Sequence, residues 1–235
     1  SEVKRLADTY FASLPSGPAP PPVVTVEPKQ EGERRVAVET PSQPFTFVGY
    51  KRPAETHPDD PVFEVIASIL SSGRTGLLYK GMVRDKKLAL AAGAGATFPG
   101  GKFPSLFLLY AMPAAGKTLE ENEKELYAVV EKLKTEKVDE VTLKRVKTKV
   151  RAGLIRQLDS AFGMAYQLAA AHTSYGNWRK VFTALEEIDK VTAEDVQRVA
   201  KQYFNQGQRT VVFSAKPTGQ GAPQGPAAGS KGGAQ

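Results

Sequence analysis

The stretch from Ser71 to Thr97, SSGRTGLLYKGMVRDKKLALAAGAGAT, restricts the fold more than any other part of the chain. Leu77, Leu78, Met82 and Val83 form an apolar stripe at helical spacing, and Asp85-Lys86-Lys87 breaks it. Leu88 to Ala96 then reads as a strand rich in alanine and glycine, whose small side chains leave room for a neighbouring backbone. A helix therefore feeds a basic turn and then a strand, and the remaining elements must pack around that strand.

Upstream, Val3, Leu6, Tyr10 and Phe11 recur at helical spacing and stop at Pro15-Ser16-Gly17-Pro18. A helix that opens a chain without an N-cap and runs into a Pro-rich segment reads as the closing helix of a preceding domain, residues 1–14, with a linker over 15–33. Arg34 to Thr40 and Gln43 to Arg52 alternate with β-formers and predict two strands. Asp60-Pro61 reads as an N-cap followed by proline at the first helical position, opening a helix through Val62, Val65, Ile66, Ile69 and Leu70.

Downstream, Ser105 to Met112 (SLFLLYAM) is a continuous apolar run, the pattern of a strand buried on both faces. Thr118 with Glu121 three residues on predicts a capping box for a helix through Leu126, Val130 and Leu133. Asp139 to about Thr173 reads as one long helix, weakened or bent at Gly153 and Gly163. Helices over Tyr175–Ile188 and Thr192–Phe204 follow, the second capped by Thr192, and Arg209–Ala215 is a last strand. The Gly- and Pro-rich tail over 216–235 has almost nothing to bury and reads as disordered. The order is helix, linker, ββ, αα, ββ, α, long α, αα, β. Strands adjacent in pairs favour antiparallel pairing, and helices covering one face of a single, mainly antiparallel sheet make an α+β fold over residues 34–215.

A chain of 235 residues with 41% hydrophobic residues can bury an ordinary core. No apolar run approaches the roughly 20 residues needed to span a bilayer. The opening SEVKRLADTYF carries charges where a signal peptide would be apolar, so this piece carries no address of its own. Cysteine is absent, which removes disulfides, thiolate ligands and thiol nucleophiles. The net charge of +7 comes from bases scattered among acids and does not form a nucleic-acid footprint.

With that element order, GRTGLLYKGMVRDKKLA at 73–89, VDEVTLKRVKTKVRAGLIRQLDSAFGMAYQLA at 138–169 and KVTAEDVQRVAKQYF at 190–204 resemble the pitrilysin (insulinase) family of zinc metallopeptidases, which includes the mitochondrial processing peptidase. The resemblance implies a member of a pair of similar α+β domains. The zinc site of such proteins lies in the first domain, on an inverted His-x-x-Glu-His motif with a distant Glu, where the metal lowers the pKa of a bound water and a carboxylate takes its proton. Here only His57 and His172 occur, neither with a second His at motif spacing, so no metal ligand or catalytic residue transfers. The resemblance is to the later, non-zinc domain, which closes the chamber over a peptide substrate; zinc is expected in the partner domain or subunit. Family members that keep the fold without proteolysis make a structural or assembly subunit the alternative. Bacterial members are commonly exported, so the resemblance suggests the periplasm.

Catalytic members often carry in this domain an Arg and, about seven residues later, a Tyr, whose donors grip the substrate carbonyl or its oxyanion. Arg84 falls at the Arg position; the Tyr position falls on Ala91, which has no donor. Arg74 and Tyr79, read as lying on the preceding helix about a turn and a half apart, are candidate substitutes. Against these stand plainer readings: Arg84 as a solvated turn charge, Tyr79 as core packing, His57 as a loop residue ahead of a cap and His172 as a helix-end residue. The bases Lys144, Arg145, Lys147, Lys149 and Arg151 lie largely off the apolar stripe, a solvated face or a peptide-attracting wall. Trp178 and Tyr175 read as anchors of a helix junction, and Asp159, Ser160 and the two His compose no nucleophilic triad.

Overall fold

The computed structural model describes residues 1–15, 17–18, 21–24 and 26–215; the tail read as disordered lies outside them. Five strands form one sheet: β1 (Arg34–Glu39), β2 (Thr46–Arg52), β3 (Ala89–Phe98), β4 (Ser105–Pro113) and β5 (Arg209–Ala215). Their order is β1-β5-β2-β4-β3. All pairings are antiparallel except β1 with β5, which run parallel with Val36 opposite Val212. β1 and β2, adjacent in sequence, therefore do not pair; the last strand lies between them. Phe45 seals this insertion, accepting from the Ser214 N–H at 3.0 Å and donating its own N–H to the Ser214 hydroxyl at 2.9 Å.

The helices are α1 (Glu2–Phe11), α2 (Asp60–Ser71), α3 (Leu119–Thr135), α4 (Glu140–Gln157), α5 (Ala161–Tyr175), α6 (Lys180–Lys190) and α7 (Ala193–Tyr203). α1 buries none of its residues. α2, α3 and α7 cover one face of the sheet, where Val48, Tyr50, Phe107, Leu109 and Val211 meet Phe63, Ile66, Leu126, Val130 and Val199. Phe204 bridges the layers, its ring 4.9 Å from that of Phe107 and 5.1 Å from that of Tyr50. Each such wholly buried side chain contributes about 1.5–3 kcal/mol relative to exposure, so this aromatic wedge is a large share of the core.

Local chemistry sets several boundaries as the sequence predicts. Thr118 accepts from the Glu121 N–H while the Glu121 carboxylate accepts from the Thr118 N–H, and Thr192 and Asp195 form the same reciprocal pair ahead of α7. Elsewhere the structure departs from expectation. The long helix is two, because Ser160 adopts an extended conformation and its hydroxyl caps the Gly163 N–H at 2.9 Å. A Cβ at Gly163 would stand 2.1 Å from the Gln157 carbonyl oxygen, so only glycine lets the first turn of α5 pass so close to the end of α4. α2 starts with Asp59, not Asp60, at the N-cap position and without a side-chain cap; both carboxylates are drawn into ion pairs instead. β4 buries one face only, with Phe107, Leu109 and Ala111 inward and Leu106, Leu108, Tyr110 and Met112 outward.

Candidate functional site

The organising stretch does not keep a 3.6-residue period. Gly73–Thr75 makes a 3-10 turn, Gly76 is extended, and Tyr79–Asp85 is a π-helix ending with the Lys86 N–H on the Gly81 carbonyl at 3.1 Å. Arg74 is thereby separated from the helix that carries Tyr79, which corrects the expectation that the two share one helix. Bonding between residues five apart instead widens the turn, so Arg84 lies about one turn on from Tyr79. The two are within electrostatic reach of one another.

Arg84 is exposed and binds its neighbour Asp85 through Nε at 2.6 Å and through Nη2 at 3.0 Å. Tyr79 is half-buried and Arg74 exposed. The exit from the π-helix passes through Lys87 in the left-handed region, φ 49, which non-glycine residues rarely adopt. Two residues of α3 hold this turn: Glu125 pairs with Lys86 at 2.6 Å, and buried Asn122 donates to the Leu88 carbonyl at 3.0 Å. Ala91 pairs with Met112 on the outward side of the sheet, just past an irregularity between Ala89 and Ala91.

That outward side is the second feature of the site. Register places Val36 and Val38 of β1, Val212 of β5, Phe47 of β2, and Leu106, Leu108, Tyr110 and Met112 of β4 on the face away from the helices. Val36, Val38, Leu90 and Met112 are exposed. Tyr110 lies over the β3 backbone at Gly93, where a Cβ would be 2.6 Å from its hydroxyl. A strand with the composition of a doubly buried one thus has only one face fully covered by the described residues. The apolar run in β4 was the available signal, and it does not say which molecule covers the second face.

Neither histidine belongs to a metal site. His57 is half-buried and its Nδ1 accepts from the Asp59 N–H at 3.1 Å; His172 is exposed in the last turn of α5. Among the described residues no group of three or more His, Cys, Asp or Glu could hold a metal ion, so the residues present do not fit zinc. Of the basic series on α4, Lys147 donates to the Asp189 carbonyl and Arg151 to the Asp189 carboxylate, both at 2.8 Å, tying α4 to α6. Lys144, Arg145 and Lys149 are exposed. Trp178 stacks edge-on with Phe182 beneath the Arg179 guanidinium.

Comparison with known proteins adds four findings. A family model described as the peptidase M16 inactive domain matches residues 1–150. The zinc protease PqqE of Helicobacter pylori is 28% identical over 216 residues, covering 90% of this chain and 48% of that protein, so the chain spans about half the length of this curated relative. Among solved structures, a protease from Helicobacter pylori superposes with a TM-score of 0.82 at 28% identity over 91% of this chain and 52% of that one. The inactive peptidase domain of a putative zinc protease from Bordetella parapertussis superposes with a TM-score of 0.66 at 24% identity over 80% of this chain and 99% of that one, a likeness of fold.

Proposed function

The chain belongs to the peptidase M16 family as an inactive domain, the half without the catalytic zinc site, and on that premise we propose that it closes the peptide-binding chamber of a zinc metalloendopeptidase and contributes substrate contacts. The observation that carries this reading is the open apolar face of the sheet. Leaving Leu106, Leu108, Tyr110 and Met112 half-covered forfeits part of the stabilisation that burial supplies, about 25 cal/mol per Å2. A zinc-bearing half resting on that face recovers it. Family membership implies such a catalytic partner, and the relatives' doubled length is consistent with both halves lying on one chain.

The substrate contacts are assigned to Tyr79 and Arg84, about one turn apart on the π-helix beside β3, with exposed Arg74 as a further donor. A guanidinium and a phenol are suited to a peptide carbonyl that gains negative charge as water adds to it. Because Asp85 already engages Arg84, substrate must compete for that guanidinium.

The test is cleavage of a quenched fluorescent peptide, with zinc, by this chain alone, by the zinc-bearing half alone and by both mixed. Activity is expected only in the mixture, and Leu108→Glu should abolish it together with co-elution of the halves while leaving the circular dichroism unchanged. Activity of this chain alone, or a zinc half equally active without it, would overturn the reading. The second outcome would favour a structural or assembly subunit, the role to which the methyl group of Ala91, where catalytic members place a hydroxyl, already leans.

A further inference from the structure

A cavity of about 330 Å3 opens on the helix layer between α2, α4, α5 and α6. The sheet lies on the inner side of α2, so this cavity is remote from the open sheet face. Its walls are mostly apolar, with Leu154, Leu158, Val181, Ala184 and Ile188 among them, and its floor carries the carboxylates of Glu55, Asp60, Glu64 and Glu187. Two of these are neutralised: Asp60 by the buried Arg52 guanidinium, and Glu187 by Lys180, whose Nζ reaches both its carboxylate oxygens at 2.5 Å. Glu55 and Glu64 have no side-chain hydrogen bond or ion pair among the described residues, and Glu64 is exposed and Glu55 half-buried, so two unpaired carboxylates beside the apolar walls are open to a ligand.

We propose that this cavity is a binding site for an organic cation, an ammonium group on an aliphatic chain, with its charge seated at Glu64 and Glu55 and its alkyl part along Leu154, Val181 and Ile188. A metal ion does not fit, since no three ligating side chains converge among the described residues. An anion is repelled by the uncompensated carboxylates, and a neutral apolar ligand would leave them unpaired. Glu64 is open to water through the cavity mouth, yet burial, then the Asp60 carboxylate and then that of Glu55 push its pKa up to about 7 against the opposing pull of Arg52. A bound ammonium supplies the missing positive charge. Tyr175 borders the site with its ring already beneath the Lys180 ammonium at 5.4 Å, and its hydroxyl has no hydrogen-bond partner among the described residues. The volume is at the small end of ligand pockets, about 300–1,000 Å3, which suits one alkylammonium arm and excludes a folded polymer.

Two sources share this chemistry, a free amine and a lysine side chain of a peptide. Calorimetric titration of the chain with n-butylamine and with Nα-acetyl-lysine N-methylamide, each beside its neutral counterpart (butan-1-ol and the Nε-acetylated compound), separates them. At least one cation should bind ten-fold or more tightly than its neutral counterpart, and the tighter arm identifies the source. Glu64→Gln should weaken that binding at least ten-fold with unchanged circular dichroism. Ala184→Phe should remove it by filling the cavity without altering charge. Equal binding of the neutral compounds, no binding of either amine at millimolar concentration, or undiminished affinity in Glu64→Gln would overturn the proposal.

Discussion

Arg198 on α7 reaches Asp59, 139 residues earlier in the chain, and donates through Nη2 to its carboxylate at 2.7 Å. The Tyr203 hydroxyl donates to the same carboxylate at 3.0 Å. Asp59 is almost fully enclosed while Arg198 remains half-exposed. One residue on, Asp60 turns the other way to Arg52, whose side chain is wholly buried and also donates to the Ala96 carbonyl at 2.7 Å. Two adjacent carboxylates at the start of α2 thus tie this helix to α7 on one side and to β2 and β3 on the other.

The first pair sets an acid limit. Burial raises the Asp59 pKa, but the hydrogen bonds from Arg198 and Tyr203 outweigh it and hold the carboxyl below its ordinary value. A depressed native pKa adds stability that is complete above the unfolded value, about 3.9, and is lost as the pH falls through the native value. Arg198→Ala should therefore cost about 1.5–3 kcal/mol at pH 7, and the gap to the wild type should narrow below about pH 4. Urea melts at pH 7 and pH 3 measure both; an equal gap at the two pH values would contradict the assignment.

Arg52→Met should be far more costly, about 3–5 kcal/mol, because it leaves Asp60 enclosed without its counter-charge and removes the donor to the Ala96 and Thr97 oxygens. Arg52→Met combined with Asp60→Leu should recover most of that loss. Chemical denaturation of the single and double variants completes the cycle.

Glu64 carries the opposite sign. Its native pKa, about 7, lies well above the ordinary carboxylate value, so the native state favours the protonated form and stability falls as the pH rises from about 4.5 to 7. Glu64→Gln should leave stability unchanged at pH 4 and raise it at pH 8 by about 1 kcal/mol, after allowance for screening by water in the cavity mouth. Thermal melts at the two pH values test this, and stabilisation confined to pH 4 would invert the argument.

Arg84→Ala should leave the melting temperature unchanged, since its ion-pair partner is the adjacent, equally exposed Asp85 and water screens such a pair. In the mixed-halves assay the same substitution should lower kcat/KM about ten-fold or more if the guanidinium meets the substrate. An unchanged rate would reduce Arg84 to a solvated turn charge.

What the sequence determined by itself was local. The capping box at Thr118, the cap at Thr192, the strand and helix segments, the one-sided α+β layering and the lack of a His-x-x-Glu-His motif depend on residue types a few positions apart, and each is legible there. The tertiary structure decided everything that depends on distant partners. β5 enters between β1 and β2 because its backbone groups bond to both, a choice that no pattern within the segment at 34–52 encodes. The break at Ser160 was masked by apolar spacing that continues across it, and only the close passage of α5 at Gln157 shows why Gly163 stands there. Tyr79 and Arg84 lie about one turn apart because the chain widens into a π-helix held by Glu125 and Asn122 of α3, whereas ordinary helical spacing puts them on different faces. Glu64 reads as one more charge on an amphipathic helix until α4, α5 and α6 build the cavity that it lines. The physical reason is common to all four: periodicity and capping are short-range properties of the chain, while strand order, helix phase and the dielectric around a carboxylate are set by segments that meet only after folding.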